Sequence, residues 1–359
     1  MDIMVEGPKA AIVATMLHGR DIQYSIAMPK VNLLYEREQR PLLMFCGRGL
    51  GCKPVMDWKR YHRLDTIYKF MDELVAEYPY LCSVVDIGET AEGRNIKMLV
   101  ISDGEEGNQG VWIDGTIHAR EWISPAVVTY IADKIVRNFH IYPDSVTKKD
   151  WYIIPVLNPD GYEYTHTTDR MWRKNRAKHG DSYGVDLNRN FSTGWGAREE
   201  DSSSSDPGNI FYRGPSPFSE RETNAVKNTI LESQTQFKVF ISMHSYGEAI
   251  LFPWGYSWDP CPDYVSLLEG GTVMARAVQQ STGRIYKVGS TRDIMYFAEG
   301  TSIDWSYECA NIMYSYMLEL RGKEHKFLLP KEQIIITAKE VLSAVLALLT
   351  FIDGKPSVS

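Results

Sequence analysis

The chain is short of cysteine, of long apolar runs and of basic blocks. Its five cysteines, Cys46, Cys52, Cys82, Cys261 and Cys309, are an odd number without metal-ligand spacing, so no disulfide framework follows from them. The longest nearly apolar stretch, Val341–Ile352, has twelve residues interrupted by Ser343 and Thr350. A membrane-spanning helix needs about 20, so this stretch reads as a buried C-terminal helix. The 39 Lys and Arg against 46 Asp and Glu leave a net charge of −7, and neither nucleic acid nor a membrane is expected as a partner. Near the N-terminus, Ala10–Leu17 is apolar, but only Lys9 precedes it against Asp2 and Glu6. That makes a poor secretion signal. What remains is an ordinary globular composition, 44% apolar and 24% charged.

Residues up to about Val55 show no clean periodicity, and 1–55 reads as a separate, disordered extension. From Asp57 the pattern changes. Leu64, Ile67, Tyr68, Met71, Leu74 and Val75 recur at helical spacing and predict a helix ending near Pro79. Strand-like runs follow at Ser83–Ile87, Ile96–Ile101 and Val111–Ile113. A long amphipathic helix comes next, with Ser124 as its cap and Pro125 at its first position. Trp151–Leu157, Phe237–Met243 and Tyr314–Leu320 read as strands, and Gly180–Asn209 as a long surface loop. Strands alternating with helices predict one α/β domain with helices on both faces of a largely parallel sheet.

The first chemical signal is His118-Ala119-Arg120-Glu121, between the Val111–Ile113 strand and the following helix. His and Glu three apart can face one ion where a strand turns into a helix. A catalytic zinc takes three protein ligands and keeps an open position, and two His with one Glu is a recurring set. His244, directly after the Phe237–Met243 strand, is the third candidate. Both halves fall at C-terminal strand ends, where open α/β sheets bind ligands. The other histidines, His18, His62, His140, His166, His179 and His325, have no acidic or His partner at ligand spacing and read as surface or packing residues.

Seven short motifs occur in order: His118–Trp122, Asn158–Tyr162, Arg170–Lys174, Asp186–Asn190, His244–Tyr246, Ile303–Trp305 and Glu319–Arg321. The series resembles the zinc metallocarboxypeptidases of the pancreatic carboxypeptidase A and B family, in the A-like form that includes insect digestive enzymes. The likeness runs from about Asp57 to Asp353. It implies a catalytic domain over 56–359, built as a single α/β domain on a mixed, mostly parallel twisted sheet of about eight strands with helices on both faces. Residues 1–55 would then be a remnant pro-segment or a disordered extension.

The resemblance also implies roles. One zinc ion per chain would be held by His118, Glu121 and His244, with Glu319 as general base and Arg173 as donor to the oxyanion. Asn188 and Arg189 would bind the terminal carboxylate of a peptide or protein, a task suited to the bidentate guanidinium. Tyr296 would close over the substrate and Arg120 would line the cleft. A relative that had lost catalysis would lack a ligand or the base, and this chain keeps each. A monomer, working outside the cell, is implied.

Ile303 would form the floor of the specificity pocket. A buried ammonium or guanidinium without a counter-charge costs several kcal/mol, and Ile303 offers none, so apolar or aromatic C-terminal residues are expected. Leu251, Gly255, Met295, Ala298 and Thr301 would line the rest. Glu299, if it pointed inward, would favour basic residues instead. Three departures stand out. The first 55 or so residues resemble neither signal peptide nor pro-segment, and a mis-started gene model would account for that. Ser182 stands where the pancreatic enzymes have the first cysteine of a disulfide. Glu308–Asn311 is one residue longer than in the mammalian enzymes.

Overall fold

The apolar runs with the least polar interruption become the middle of one sheet, and alternation along them decides which layer each side chain meets. The computed structural model describes residues 5, 7–20, 22–24, 56–198 and 202–355. Most of the expected 1–55 extension, with Cys46 and Cys52, lies outside the described residues. The chain divides into two compact units, Met1–Leu43 and Met44–Ser359. In the first, a helix covers Gly7–His18 with Ile12 and Met16 exposed.

The second unit opens with α1 (Leu64–Glu77), which buries Leu64, Ile67, Phe70, Met71 and Leu74 on one stripe and stops just before Pro79. Strands β1 (Cys82–Glu89), β2 (Asn95–Ile101) and β3 (Gln109–Gly115) follow, then α2 (Ile123–Arg137), β4 (Lys149–Ile154) and α3 (Pro159–Thr167). A two-residue ladder pairs β5 (Lys178–His179) with β6 (Ser182–Tyr183). The rest runs α4 (Arg221–Glu232), β7 (Phe237–Ser245), β8 (Ala249–Phe252), α5 (Tyr264–Thr282), β9 (Lys287–Ser290), α6 (Ser302–Glu308), β10 (Tyr314–Leu320) and α7 (Ile334–Asp353).

Eight strands form one sheet in the order β1-β2-β4-β3-β7-β10-β8-β9. Its centre, β4-β3-β7-β10, is parallel; β1, β2 and β8 join antiparallel, and β9 runs parallel to β8. On β3, Val111 and Ile113 face one core while Trp112 faces the other; on β7, Val239, Ile241 and Met243 are separated from Phe240 in the same way. The first core is covered by α1, α2, α5 and α7, the second by α4 and α6. Helices therefore lie on both faces, as expected.

Helix α7 is the only described helix long and apolar enough to cross a membrane. It lies in the first core through Val341, Val345, Leu348 and Leu349, as the reading of a buried C-terminal helix anticipates. Two local expectations need correction. Ser124 does not cap α2, which starts at Ile123; its hydroxyl donates to the Met243 carbonyl at 2.7 Å and accepts from the Thr116 amide at 3.0 Å. It ties the ends of β3 and β7 to the helix. The Gly180–Asn209 region is not simply surface loop, because Val185–Phe191 is buried. Its polar side chains bond mostly to groups outside the segment: Asp186 to Arg173, Asn188 to Ser302, Arg189 to Ser202 and Tyr296, and Asn190 to Arg213 and Thr223.

Candidate metal centre and active site

Strand β3 ends at Gly115, where a Cβ would lie 2.6 Å from Ser124 Oγ and 3.1 Å from the Pro155 carbonyl. Only glycine lets the chain pass this close. Thr116 then takes a positive φ of 59°, and the chain turns so that His118 and Glu121 face the end of β7. The turn is pinned by the Ala119 amide, which donates to the Arg173 carbonyl at 3.0 Å. His244 sits at the end of β7, and in the parallel register it lies beside Glu319 of β10.

His118, Glu121 and His244 are the one group of His, Cys, Asp and Glu among the described residues able to share a metal, with ligand atoms within 4.8 Å of one another. His118 Nδ1 lies 2.9 Å from Glu121 Oε1 and 3.1 Å from His244 Nδ1; Glu121 Oε2 lies 3.3 Å from His244 Nδ1. The outer nitrogens are held elsewhere. His118 Nε2 lies 3.1 Å from Asp186 Oδ1, and His244 Nε2 lies 3.2 Å from Ser242 Oγ, which donates to Asp114 at 2.7 Å. Both Nδ1 atoms and the carboxylate are thus left to face a common point, with outer partners fixing each ring, as in metal sites.

Charges reinforce this. Burial pushes Glu121 up, but the His118 and His244 imidazoles outweigh it and hold the carboxyl below its ordinary range. Burial lifts Glu319 to about 7; Glu121 adds to the rise, while His244 and Arg173 oppose it. Glu319 Oε2 is buried without a hydrogen-bond partner. A lone buried carboxylate oxygen is costly, and a water on a cation held by the neighbouring three ligands would satisfy it. The donor set, two imidazoles and a carboxylate with room for a fourth group, fits zinc.

The remaining expected residues gather around this point to different degrees. Asp186 receives Arg173 Nε at 2.9 Å and holds that guanidinium against the centre. Burial alone would lower the Arg173 pKa, yet Asp186 raises it, so the charge is permanent. Arg189 is buried, with Nε donating to the Ser202 carbonyl at 2.7 Å, one terminal nitrogen to the Asn188 carbonyl at 2.8 Å, and the other to the Tyr296 hydroxyl at 3.3 Å. Asn188 accepts from the Ser302 amide at 2.8 Å. Tyr296 itself is half exposed. Arg120 stacks 4.0 Å over the Phe327 ring. Ile303 is fully buried in the second core with Leu251 and Met317, against which Met295 packs.

Glu299 does not face this apolar group. Its carboxylate accepts from the Arg198 amide at 2.8 Å and from the Ser203 hydroxyl. A second acid beside Ile303, Asp304, is bound by the Gly255 and Tyr256 amides. Three partners escaped the sequence reading: Asp114, Ser242 and Asp186. Each had a faint signal, since Asp114 directly follows the apolar Val111–Ile113 run, Ser242 interrupts the apolar Val239–Met243 run, and Asp186 opens the Asp186–Asn190 motif. Among the described cysteines, Cys82, Cys261 and Cys309 are free.

A buried two-histidine, one-glutamate set at the carboxyl ends of parallel strands, with a raised carboxylate beside it, defines a metallohydrolase. The zinc carboxypeptidase family model matches residues 67–344. The chain is 40% identical to carboxypeptidase B of Astacus astacus over 83% of its own length and 98% of that protein's, and 39% identical to carboxypeptidase A1 of Rattus norvegicus over 98% and 84%. The crystal structure of the carboxypeptidase A from Helicoverpa armigera is similar, with a TM-score of 0.84 and 28% identity over 96% of this chain and 88% of that one. The chain belongs to the zinc carboxypeptidase family and is a metallocarboxypeptidase of the A/B type. Its near-equal identity to a B and an A relative leaves the preferred residue to the pocket.

Proposed function

We propose that the protein removes single residues from the C-termini of peptides and proteins, preferring apolar or aromatic ones, with Glu319 as general base. The observation that carries this reading is the buried, unpartnered Glu319 Oε2 beside the His118, Glu121 and His244 set. These three residues would hold one zinc ion, which supplies a Lewis acid and a water of lowered pKa. Glu319 accepts the attacking water's proton and returns it to the leaving amine. A cation held by these three ligands would draw the Glu319 pKa down from the value burial gives it, favouring the ionised form a base needs. Arg173, aimed by Asp186, donates to the oxyanion of the tetrahedral intermediate.

Arg189 and Asn188 bind the terminal carboxylate, Tyr296 closes over it, and Arg120 lines the cleft. Ile303, Leu251 and Met295 offer an apolar floor and walls. Glu299 and Asp304, the acids nearby, spend their oxygens on hydroxyl and backbone donors, which argues against a counter-charge for Lys or Arg side chains. Arg189 is the residue that makes chain ends special. Replacing it with alanine should raise KM for free-acid peptides by about 100-fold, the loss of a charged bidentate contact. Unchanged steady-state kinetics would remove Arg189 from this role. Family membership also supports work outside the cell; recovery of the protein only from lysate, never from medium, would contradict that.

A further inference from the structure

None of the roles above uses Glu299, although it is fully buried and stands three residues after Tyr296. Its two carboxylate oxygens are taken by different donors: Oε1 by the Ser203 hydroxyl, Oε2 by the Arg198 amide. Both donors belong to the polar segment that follows Phe191. Ser202, next to Ser203, presents the carbonyl that accepts from Arg189 Nε at 2.7 Å. Glu299 is therefore two hydrogen bonds away from the guanidinium, with Ser203 and Ser202 between them.

A second grip comes through the backbone. Gly300 has a φ of +62°, and a Cβ there would lie 2.3 Å from the Arg189 carbonyl. Its carbonyl accepts from the Phe191 amide at 3.1 Å and its amide donates to the Thr193 carbonyl at 3.0 Å. The Glu299–Gly300 pair thus touches Arg189 on its main-chain side and, through Ser203, fixes the carbonyl that orients its side chain. Two of the three guanidinium nitrogens are held by main-chain carbonyls, and the third points to the Tyr296 hydroxyl. An arginine so anchored loses less rotamer freedom when it meets a carboxylate.

We propose that Glu299 is a positioning residue for carboxylate binding, acting through Ser203 and the Ser202 carbonyl to aim Arg189. The proposal rests on the reading of Arg189 as the carboxylate clamp. It also replaces the sequence-based alternative, in which Glu299 is a counter-charge for basic C-terminal side chains.

The test compares Glu299→Ala, Glu299→Gln and Ser203→Ala in the zinc-loaded enzyme, on blocked dipeptides ending in Phe, with inhibition by free phenylalanine as a second readout. Glu299→Ala and Ser203→Ala should each raise KM and the phenylalanine inhibition constant about tenfold, with kcat within about twofold. Zinc content should not change. Glu299→Gln should restore part of the loss, since its amide oxygen still accepts from one donor. In an Arg189→Lys background, Glu299→Ala should add little, because linked residues are not additive. A lowered unfolding temperature with unmoved KM and inhibition constant would mean a structural role alone and overturn the proposal. So would a KM effect confined to Lys- and Arg-ended substrates. If Glu299→Ala does not fold, Ser203→Ala, which removes only a hydroxyl from the same link, decides the matter. Failure of the clamp reading is separately visible as an Arg189→Ala enzyme with wild-type KM.

Discussion

Replacing Glu319 with glutamine keeps the side-chain shape beside His244 and removes the proton acceptor. General-base catalysis is worth about 10²–10⁴-fold, so kcat should fall by that order while the zinc content, measured by metal analysis of the purified variant, stays at one per chain. A variant with near-normal kcat would take the base role from Glu319. The site's tolerance is narrow here, because a Cβ on Gly247 would lie 2.8 Å from Glu319 Cβ. At this scale, legibility followed chemistry. His118, Glu121 and His244 could be read from residue type and strand-end placement, since few side chains bind zinc. The roles proposed for Arg173, Asn188 and Arg189 come only through family resemblance, because an arginine in a basic cluster is chemically like any surface arginine. Asp186, Asp114 and Ser242 were missed as partners because orienting a ligand leaves no spacing rule in the sequence.

The elements were legible in proportion to their length and apolarity. β10 matches its expected span Tyr314–Leu320, β7 runs two residues past the expected Met243, and β3 extends two residues beyond the apolar Val111–Ile113 run at each end. β8 and β9, at four residues each, carry too little pattern to be told from loop. The burial of Val185–Phe191 is not legible from its polar sequence, because Leu187 and Phe191 enter the second core while Asp186, Asn188, Arg189 and Asn190 bond to neighbours instead of water. The same polar burial gives helix α4 a pH signature. Glu222 in its first turn is buried, and its pKa rises from 4.5 to about 7; burial is the main cause, with Glu220 and Asp160 adding to it against hydrogen bonds from its own amide and Asn175. A raised carboxyl pKa in the folded state makes the stabilising contribution complete below 4.5 and lost as pH rises through 7. The unfolding temperature of the wild type relative to Glu222→Gln should therefore decline between pH 4.5 and 7 and level off above. A difference that is flat across this range, measured by calorimetry, would contradict the assignment.

Across the whole molecule, the parallel centre of the sheet sets the carboxyl ends of β3, β7 and β10 side by side, and the proposed metal ligands and the proposed base all stand there. The α/β class followed from alternating strands and helices, but the antiparallel joins of β1, β2 and β8 did not, since strand direction depends on connections that periodicity does not encode. A metal held by His118, Glu121 and His244 would link these strand ends, the turn before α2 and, through Asp186, the buried polar loop. Because zinc would bind the folded chain and not a preformed site in the unfolded one, its removal by a chelator should lower the unfolding temperature by several degrees, and added zinc should restore it. An unfolding temperature indifferent to chelation would place the ion elsewhere or nowhere.

The central claim is zinc-dependent release of apolar residues from free C-termini. It is tested most directly by following amino-acid release from blocked dipeptides ending in Phe, Leu, Lys or Arg, with and without a zinc chelator. The account predicts turnover of the Phe and Leu substrates, little of the Lys and Arg ones, and loss of all of it on chelation. Chelator-insensitive turnover, or turnover of the Lys and Arg substrates alone, would contradict it.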